Sequence, residues 1–252
     1  MKFYQFNLTI LAFALLFSCS NTDEPVISNN NPENTKPNIL LIIADDMGLD
    51  ATPGYAIGIT KPNMPTLQGI IDSGLRFNNL WSNPVCTPTR GTILTGKYGL
   101  RTNVLQVEDV MSISETSLQK HLDNTNSGYS HAVIGKWHLS TDPSHPTNMG
   151  VGYYAGLING GVQSYTNWNF TENGATSSSN EYTTTKFTDL AIDWVDQQTQ
   201  PWFLWLAYNA PHTPFHLPPN NLHSQGSLPS DQASIDANPL PYYLAMIEPM
   251  DR

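Results

Sequence analysis

The fold class that the sequence predicts is α/β: a sheet of buried, parallel strands with helices packed on its faces. Two observations lead there. Apolar runs without polar alternation mark strands covered on both faces, as parallel sheets require. Amphipathic helical stretches lie between those runs, the alternation that builds an α/β sandwich. The first run, Ile39-Leu40-Leu41-Ile42-Ile43-Ala44, is bounded by Pro37 and by the pair Asp45-Asp46, and is expected to be buried on both faces. The second is Trp202-Phe203-Leu204-Trp205-Leu206-Ala207-Tyr208, and a weaker third is His131-Ala132-Val133-Ile134-Gly135. Met64 to Ser73 places Leu67, Ile70 and Ile71 on one helical face, with Gly74 where a helix stop belongs. Thr188 to Gln197 does the same with Leu190, Ala191, Trp194 and Val195.

Ahead of these elements stands a targeting segment, residues 1–18. Lys2 precedes an apolar run from Phe3 to Phe17, interrupted by Gln5, Asn7 and Thr9. The run is short for a membrane span and suits the core of a signal peptide. It ends in Leu16-Phe17-Ser18-Cys19, which resembles a lipobox, so Cys19 is expected to carry lipid; the alternative is an ordinary secretory signal with an incidental cysteine. Residues 19–37, rich in Asn, Pro, Ser and Thr, read as a flexible tether. Export follows, to the periplasm or to the outer membrane or cell surface as a lipid-anchored protein. Residues 38–252 form the folded domain. With 39% hydrophobic and 10% aromatic residues the chain suits a globular core. A net charge of -10 argues against nucleic acid as a partner, because phosphate backbones demand clustered cations. The two cysteines, Cys19 and Cys86, are read as separately committed and not as a disulfide, since a bridge to the tether would staple nothing. Asn159 to Thr185 lacks periodicity and is expected to be a long loop or insertion. Pro241 to Arg252 carries Tyr243, Ile247 and Met250 at helical spacing and ends without a stop signal.

Four constellations carry chemistry. Cys86-Thr87-Pro88-Thr89-Arg90-Gly91 through Thr95-Gly96 reads as a helix, with Pro88 in the first turn and Gly96 at the stop. Cys86 then sits at the helix N-terminus, facing free N–H groups and the positive dipole end, with Arg90 one turn along on the same face. A nucleophile beside a fixed cation there suits a tetrahedral oxyanion; the alternative is a structural or redox cysteine. Asp45 and Asp46 close a buried strand, and two adjacent carboxylates repel unless a cation is shared. Hard oxygen ligands favour Ca2+, with Mg2+ possible, over zinc; the alternative is an ordinary strand-to-loop turn. Lys136 and His138 in Gly135-Lys136-Trp137-His138-Leu139 project on one side of an extended segment, suited to an anion and its protons. The alternative there is a solvated lysine beside a core tryptophan. Asn209-Ala210-Pro211-His212 places His212 at another strand's carboxyl end. The seven histidines show no cluster at recognised zinc spacing, and His145, His216 and His223 are expected to be surface loop residues.

These segments, in this order, resemble the formylglycine-dependent sulfatases, from about Asn38 to Arg252. The Cys-x-Pro-x-Arg core and its extension through Thr95-Gly96, the Asp-Asp pair after the first strand, Gly-Lys-Trp-His-Leu (with Ser140 in place of the family's final glycine) and the histidine of His-x-Pro all match. The resemblance implies the alkaline phosphatase-like fold, a central mixed, largely parallel sheet flanked by helices. It also implies a maturation enzyme that oxidises Cys86 to formylglycine, and a divalent metal on Asp45, Asp46 and residue 86. Arg90 and Lys136 would neutralise the sulfate, His212 would protonate the leaving alcohol, and His138 would take the remaining hydroxyl's proton. Sulfated carbohydrate or aryl sulfate is the implied substrate. The family's Tyr-x-x-x-Ile-x-x-x-Asp helix is present as Tyr243, Ile247 and Asp251. The sequence ends on that helix, ahead of the later strand from which the family draws an Asp-Asn metal pair, so the chain is expected to be an N-terminal portion with little or no turnover of its own. Two other readings stay open: a phosphate or phosphonate ester hydrolase on the same site, and a non-catalytic surface lipoprotein binding glycans through Asn159–Thr185.

Overall fold

The computed structural model describes residues 36–252. The signal segment expected at 1–18, and nearly all of the tether expected at 19–37 with Cys19, lie outside the described residues. Among the described residues no helix is long and apolar enough to cross a membrane.

Six strands form one mixed sheet: β1 (Ile39–Ile43), β2 (Ser130–Lys136), β3 (Tyr153–Leu157), β4 (Trp168–Glu172), β5 (Ala175–Ser179) and β6 (Trp202–Ala207), in the spatial order β1-β6-β2-β3-β4-β5. The first four of that order run parallel, and β4 and β5 close the other end antiparallel. The expected α/β class and largely parallel sheet are what forms.

Alternation along the central strands decides the layers. Val133, Phe203 and Trp205 face a core with Trp137, Met149, Tyr154 and Leu94, the last from α2 (Cys86–Thr95). Ala132, Ile134, Leu204 and Leu206 face the opposite core, covered by Phe187 and Ala191 of a long helix, Thr183–Asp196. The sequence pattern located that helix but started it five residues late; its first turn, Thr183 to Phe187, is largely buried and carries its own apolar anchor in Phe187.

Three expectations change. β1 is not buried on both faces: it is an edge strand, with Ile39, Leu40 and Ile42 exposed at 44%, 50% and 51%. Among the described residues it pairs only with β6, and burial of a strand depends on neighbours that its own composition does not name. Asn159–Thr185 is not one long loop: an irregular stretch up to Asn167 leads into the β4–β5 hairpin, built from Thr, Ser, Trp and Phe around Asn173-Gly174, both at positive φ. The apolar alternation there is weak because β5 is exposed on both faces, with only its last residue, Ser179, buried. The C-terminal helix, Leu240–Ile247, forms as expected, but its last family residue has a local duty. The Asp251 carboxylate accepts the Thr66 and Leu67 N–H groups at 2.8 and 2.7 Å, capping the helix Pro65–Ser73.

Candidate active site

The carboxyl ends of β1, β6, β2 and β3 lie in one row, since the registers align Ile43 with Ala207, Ala207 with Gly135 and Gly135 with Gly156. Ligands bind on this side of open α/β sheets. The segments that leave the row carry Asp45-Asp46, Asn209 to His212, Lys136 to His138 and Asn159 to Gly161. Gly135 has φ +112°, and a Cβ there would stand 2.0 Å from the Ala207 carbonyl oxygen, so only glycine keeps β2 against β6 at this point.

The N-terminus of α2 enters the same place. No side chain caps it, so first-turn N–H groups and the dipole's positive end face Cys86. Its far end stops at Gly96, which has φ +67° and donates its N–H to Thr92 O, as the sequence predicts. Arg90, 2% exposed, reaches from α2 to two partners: Nη1 donates to Lys136 O at 2.6 Å and Nη2 to Asp45 Oδ1 at 3.1 Å. Lys136, fully buried, donates its Nζ to Asp45 Oδ2. Burial alone would push the Asp45 carboxyl up, but the Arg90 and Lys136 charges and their hydrogen bonds prevail and hold it below the ordinary carboxylate range. Two cations against one carboxylate leave a surplus positive charge behind Cys86, and Arg90 Nε has no partner.

His138 stands over the nucleophile position. Its Nδ1 is 3.2 Å from Cys86 Sγ and its Nε2 is 3.4 Å from Thr87 Oγ1. Burial, with the Lys136 and Arg90 charges behind it, drives its pKa down to about 4, so the ring is neutral at pH 7. A cleft of about 280 Å³ opens beside Asp45, Asp46, Cys86 and Arg90. His212 and Asp46 form a second pair at the rim, with His212 Nε2 3.8 Å from Asp46 Oδ2. His212 Nδ1 lies 2.8 Å from Thr213 O; a carbonyl only accepts, so Nδ1 carries a hydrogen, and Nε2 is the nitrogen turned to Asp46. Asp46 adopts φ +67° and is held through its backbone: its carbonyl accepts the Tyr243 hydroxyl at 3.1 Å, which in turn accepts the Gly48 N–H at 2.9 Å.

The structure therefore joins Asp45, Arg90 and Lys136 in one buried ion-paired group, brings Cys86 and His138 into contact with each other, and pairs Asp46 with His212. Sequence reasoning missed Thr87, which carries no motif signal of its own. It also misplaced three histidines. His145 is buried, accepting Trp137 Nε1–H at Nδ1 and lying 2.7 Å from Met111 O through Nε2. His216 is stacked on Tyr165 with centroids 4.2 Å apart, and His223 is buried. Loop position says nothing about what folds over a residue.

The donors near Asp45 and Asp46 are hard oxygens, suited to a divalent cation, but their arrangement is that of an ion-paired carboxylate. Both Asp45 oxygens are engaged by cations, the Asp46 side chain is 64% exposed, and among the described residues no three His, Cys, Asp or Glu side chains gather as a metal-holding group. These residues alone do not complete the six to eight oxygens that Ca2+ takes.

Fold and site define an α/β protein with a cysteine at a helix N-terminus, beside a buried carboxylate that carries two cations. Residues 37–252 match the family described as Sulfatase, and the chain belongs to the sulfatase family. It is similar to the uncharacterized sulfatase YdeN of Escherichia coli, 29% identical across 71% of this chain and 41% of that protein. The N-acetylglucosamine-6-O-sulfatase of Bacteroides thetaiotaomicron is 27% identical across 84% of this chain and 36% of that protein. The solved structure of BT4656 with its substrate D-glucosamine-2-N,6-O-disulfate superposes with a TM-score of 0.66 at 27% identity, covering 75% of this chain and 37% of that one. The chain thus spans less than half the length of these relatives.

Proposed function

We propose that this chain carries the nucleophile half of a sulfate-ester hydrolase acting on a sulfated carbohydrate, with aryl sulfates as simple substitutes. The observation that carries the reading is the Cys86 side chain, 3.2 Å from a neutral histidine and backed by Arg90 and Lys136 at the α2 N-terminus. Family membership supports it, and so does the sulfated amino sugar bound by BT4656. As a formylglycine, made from Cys86 by a maturation enzyme, residue 86 would supply a hydrated aldehyde whose hydroxyl attacks sulfur. The chain's own groups frame that chemistry. Arg90, which lines the cleft, and the buried charge of Lys136 offset the sulfate's charge and the charge that grows in the transition state. His212, with Nδ1–H kept on Thr213 O, would act as the imidazolium and give its second proton, from Nε2, to the departing alkoxide, so the alcohol leaves neutral. His138, unprotonated at neutral pH, accepts at Nδ1 the proton of the residue 86 side chain, which lets the C=O bond re-form and sulfate depart.

Asp45 and Asp46 are proposed as the carboxylate part of a divalent site, Ca2+ before Mg2+, which needs further oxygen donors; no step above depends on it. Export as a lipoprotein anchored through Cys19, to the periplasm or cell surface, is proposed from Leu16-Phe17-Ser18-Cys19. Loss of lipid labelling in Cys19→Ala checks it.

The deciding experiment is mass analysis of the tryptic peptide Phe77–Arg90 after expression with a formylglycine-generating enzyme. An aldehyde at residue 86 supports the reading. An unmodified thiol removes it and leaves a glycan-binding lipoprotein. Comparison of matched sulfate and phosphate esters on the longer protein separates sulfatase from phosphoryl or phosphonyl hydrolase.

A further inference from the structure

The segment from Ile158 to Tyr165 belongs to none of the family motifs, yet it touches both histidines of the site. The Ile158 carbonyl accepts the His138 N–H at 2.9 Å, continuing the β2–β3 pairing past the strand ends. Next in the chain, a Cβ on Gly160 would lie 2.4 Å from both Cε1 and Nε2 of His138, so the imidazole occupies the space a side chain would take. Gly161 faces the other ring: a Cβ there would be 3.4 Å from His212 Cε1. Tyr165 then reaches under the His212 turn. Its hydroxyl is 3.0 Å from Asn209 O and 2.5 Å from His212 O, the two ends of a turn closed by His212 N–H to Asn209 O at 2.9 Å. Both acceptors are carbonyls, so one phenolic proton is shared between them. Tyr165 is itself anchored, 2% exposed, stacked on His216, and joined through its carbonyl to the Thr183 N–H of α6, the long helix Thr183–Asp196. Burial holds its phenol well above the ordinary tyrosine range, keeping the donor protonated.

We propose that this segment is the positioning element of the acid–base pair: Gly160 provides the space that seats His138, Gly161 brings the chain into ordinary contact with His212, and Tyr165 is the strut that holds the His212 turn. The assignment of the two histidines as an acid–base pair rests on the sulfate-ester reading, while the positioning itself does not.

The test is nitrogen NMR of imidazole-labelled histidines in the 252-residue chain, at one neutral pH. His212 should show a protonated Nδ1, from its contact with Thr213 O. His145 should show the opposite form, since Trp137 can only donate to its Nδ1; it serves as the internal control. In Tyr165→Phe the His212 pattern is expected to collapse to a tautomer average, with His145 unchanged. A merely structural loss would move His145 as well. Gly160→Ala provides the second arm. Its backbone φ lies outside the left-handed region, so alanine is opposed by the His138 ring and not by backbone strain. The expected result is loss of the through-space cross-peak between His138 and Thr87, with His212 and His145 retained. A His212 pattern unchanged in a folded Tyr165→Phe, or a His138–Thr87 cross-peak unchanged in Gly160→Ala, would overturn the proposal; if Tyr165→Phe does not fold, the Gly160 arm alone decides. These signals need no turnover. A thiol persisting at residue 86 would therefore remove the sulfatase reading and leave the positioning result standing.

Discussion

Asp45 is the counter-ion for two buried cations, and its removal tests the arrangement most directly. Asp45→Ala would leave Arg90 and Lys136 uncompensated in a dry site, which costs about 3–5 kcal/mol. Urea denaturation of the two proteins reads this as a lowered midpoint with unchanged slope. The carboxyl's folded pKa lies below its ordinary value, so its contribution is complete above the ordinary carboxylate range and is lost as pH falls through the folded value. The histidines act in a higher window. His138 and His216 both have folded values near 4, against 6.5 for a free imidazole. The unfolded chain therefore binds the extra protons first, and stability is full above pH 6.5 and declines as pH falls from 6.5 through about 4. The urea midpoint should drop between pH 7 and pH 5, and His216→Asn should flatten part of that drop while leaving the share from His138. At this scale the sequence named Asp45, Cys86, Arg90, Lys136, His138 and His212, because each sits inside a short motif. It did not name Thr87 or Tyr165, whose roles come from what faces them across 51 and 47 residues of chain.

Among the elements, α2 and the helix Pro65–Ser73 show two kinds of termination. The former stops on its own code, at Gly96. The latter is capped from 185 residues away, by Asp251. Asp251→Ala would free both first-turn N–H groups and remove a charge from the dipole's positive end, at a cost of about 1 kcal/mol. A lowered thermal midpoint with unchanged Cys86 alkylation kinetics is the expected signature. β1 presents the other lesson. Among the described residues its outer edge is unpaired, and with half-exposed Ile39, Leu40 and Ile42 it is a template for self-association. Ile42→Lys is expected to reduce light scattering of the purified chain while changing folding stability by no more than about 0.5 kcal/mol, as surface changes do. A loss of several kcal/mol would mean that Ile42 is covered in solution.

For the molecule as a whole, the site joins four parallel strand ends to one helix N-terminus, so the two cations that meet on Asp45 come from two different elements, Arg90 from α2 and Lys136 from β2. The described residues bring only two carboxylates to the place where a divalent ion is proposed. The purified 252-residue chain is accordingly expected to bind Ca2+ weakly in calorimetry and to show little or no turnover of an aryl sulfate. Tight binding with brisk turnover would mean that Asp45 and Asp46 suffice.

Local patterns determined a good deal here. Apolar runs, helix stops and four short motifs depend on residues within a turn or two of one another, and from them came the α/β class, α2 with Cys86 at its head, and the family. Which strand is an edge, which histidine is buried and which group faces Cys86 were settled only by tertiary structure. β1 reads like β6 in sequence, yet β6 has strands on both sides and β1 has one. His145 opens a one-turn helix and His212 lies in a turn, yet Trp137 and Met111 close over the first, while the second faces Asp46 at the rim of the cleft. Burial and pKa follow from long-range neighbours, and those neighbours exist only once the chain has closed on itself.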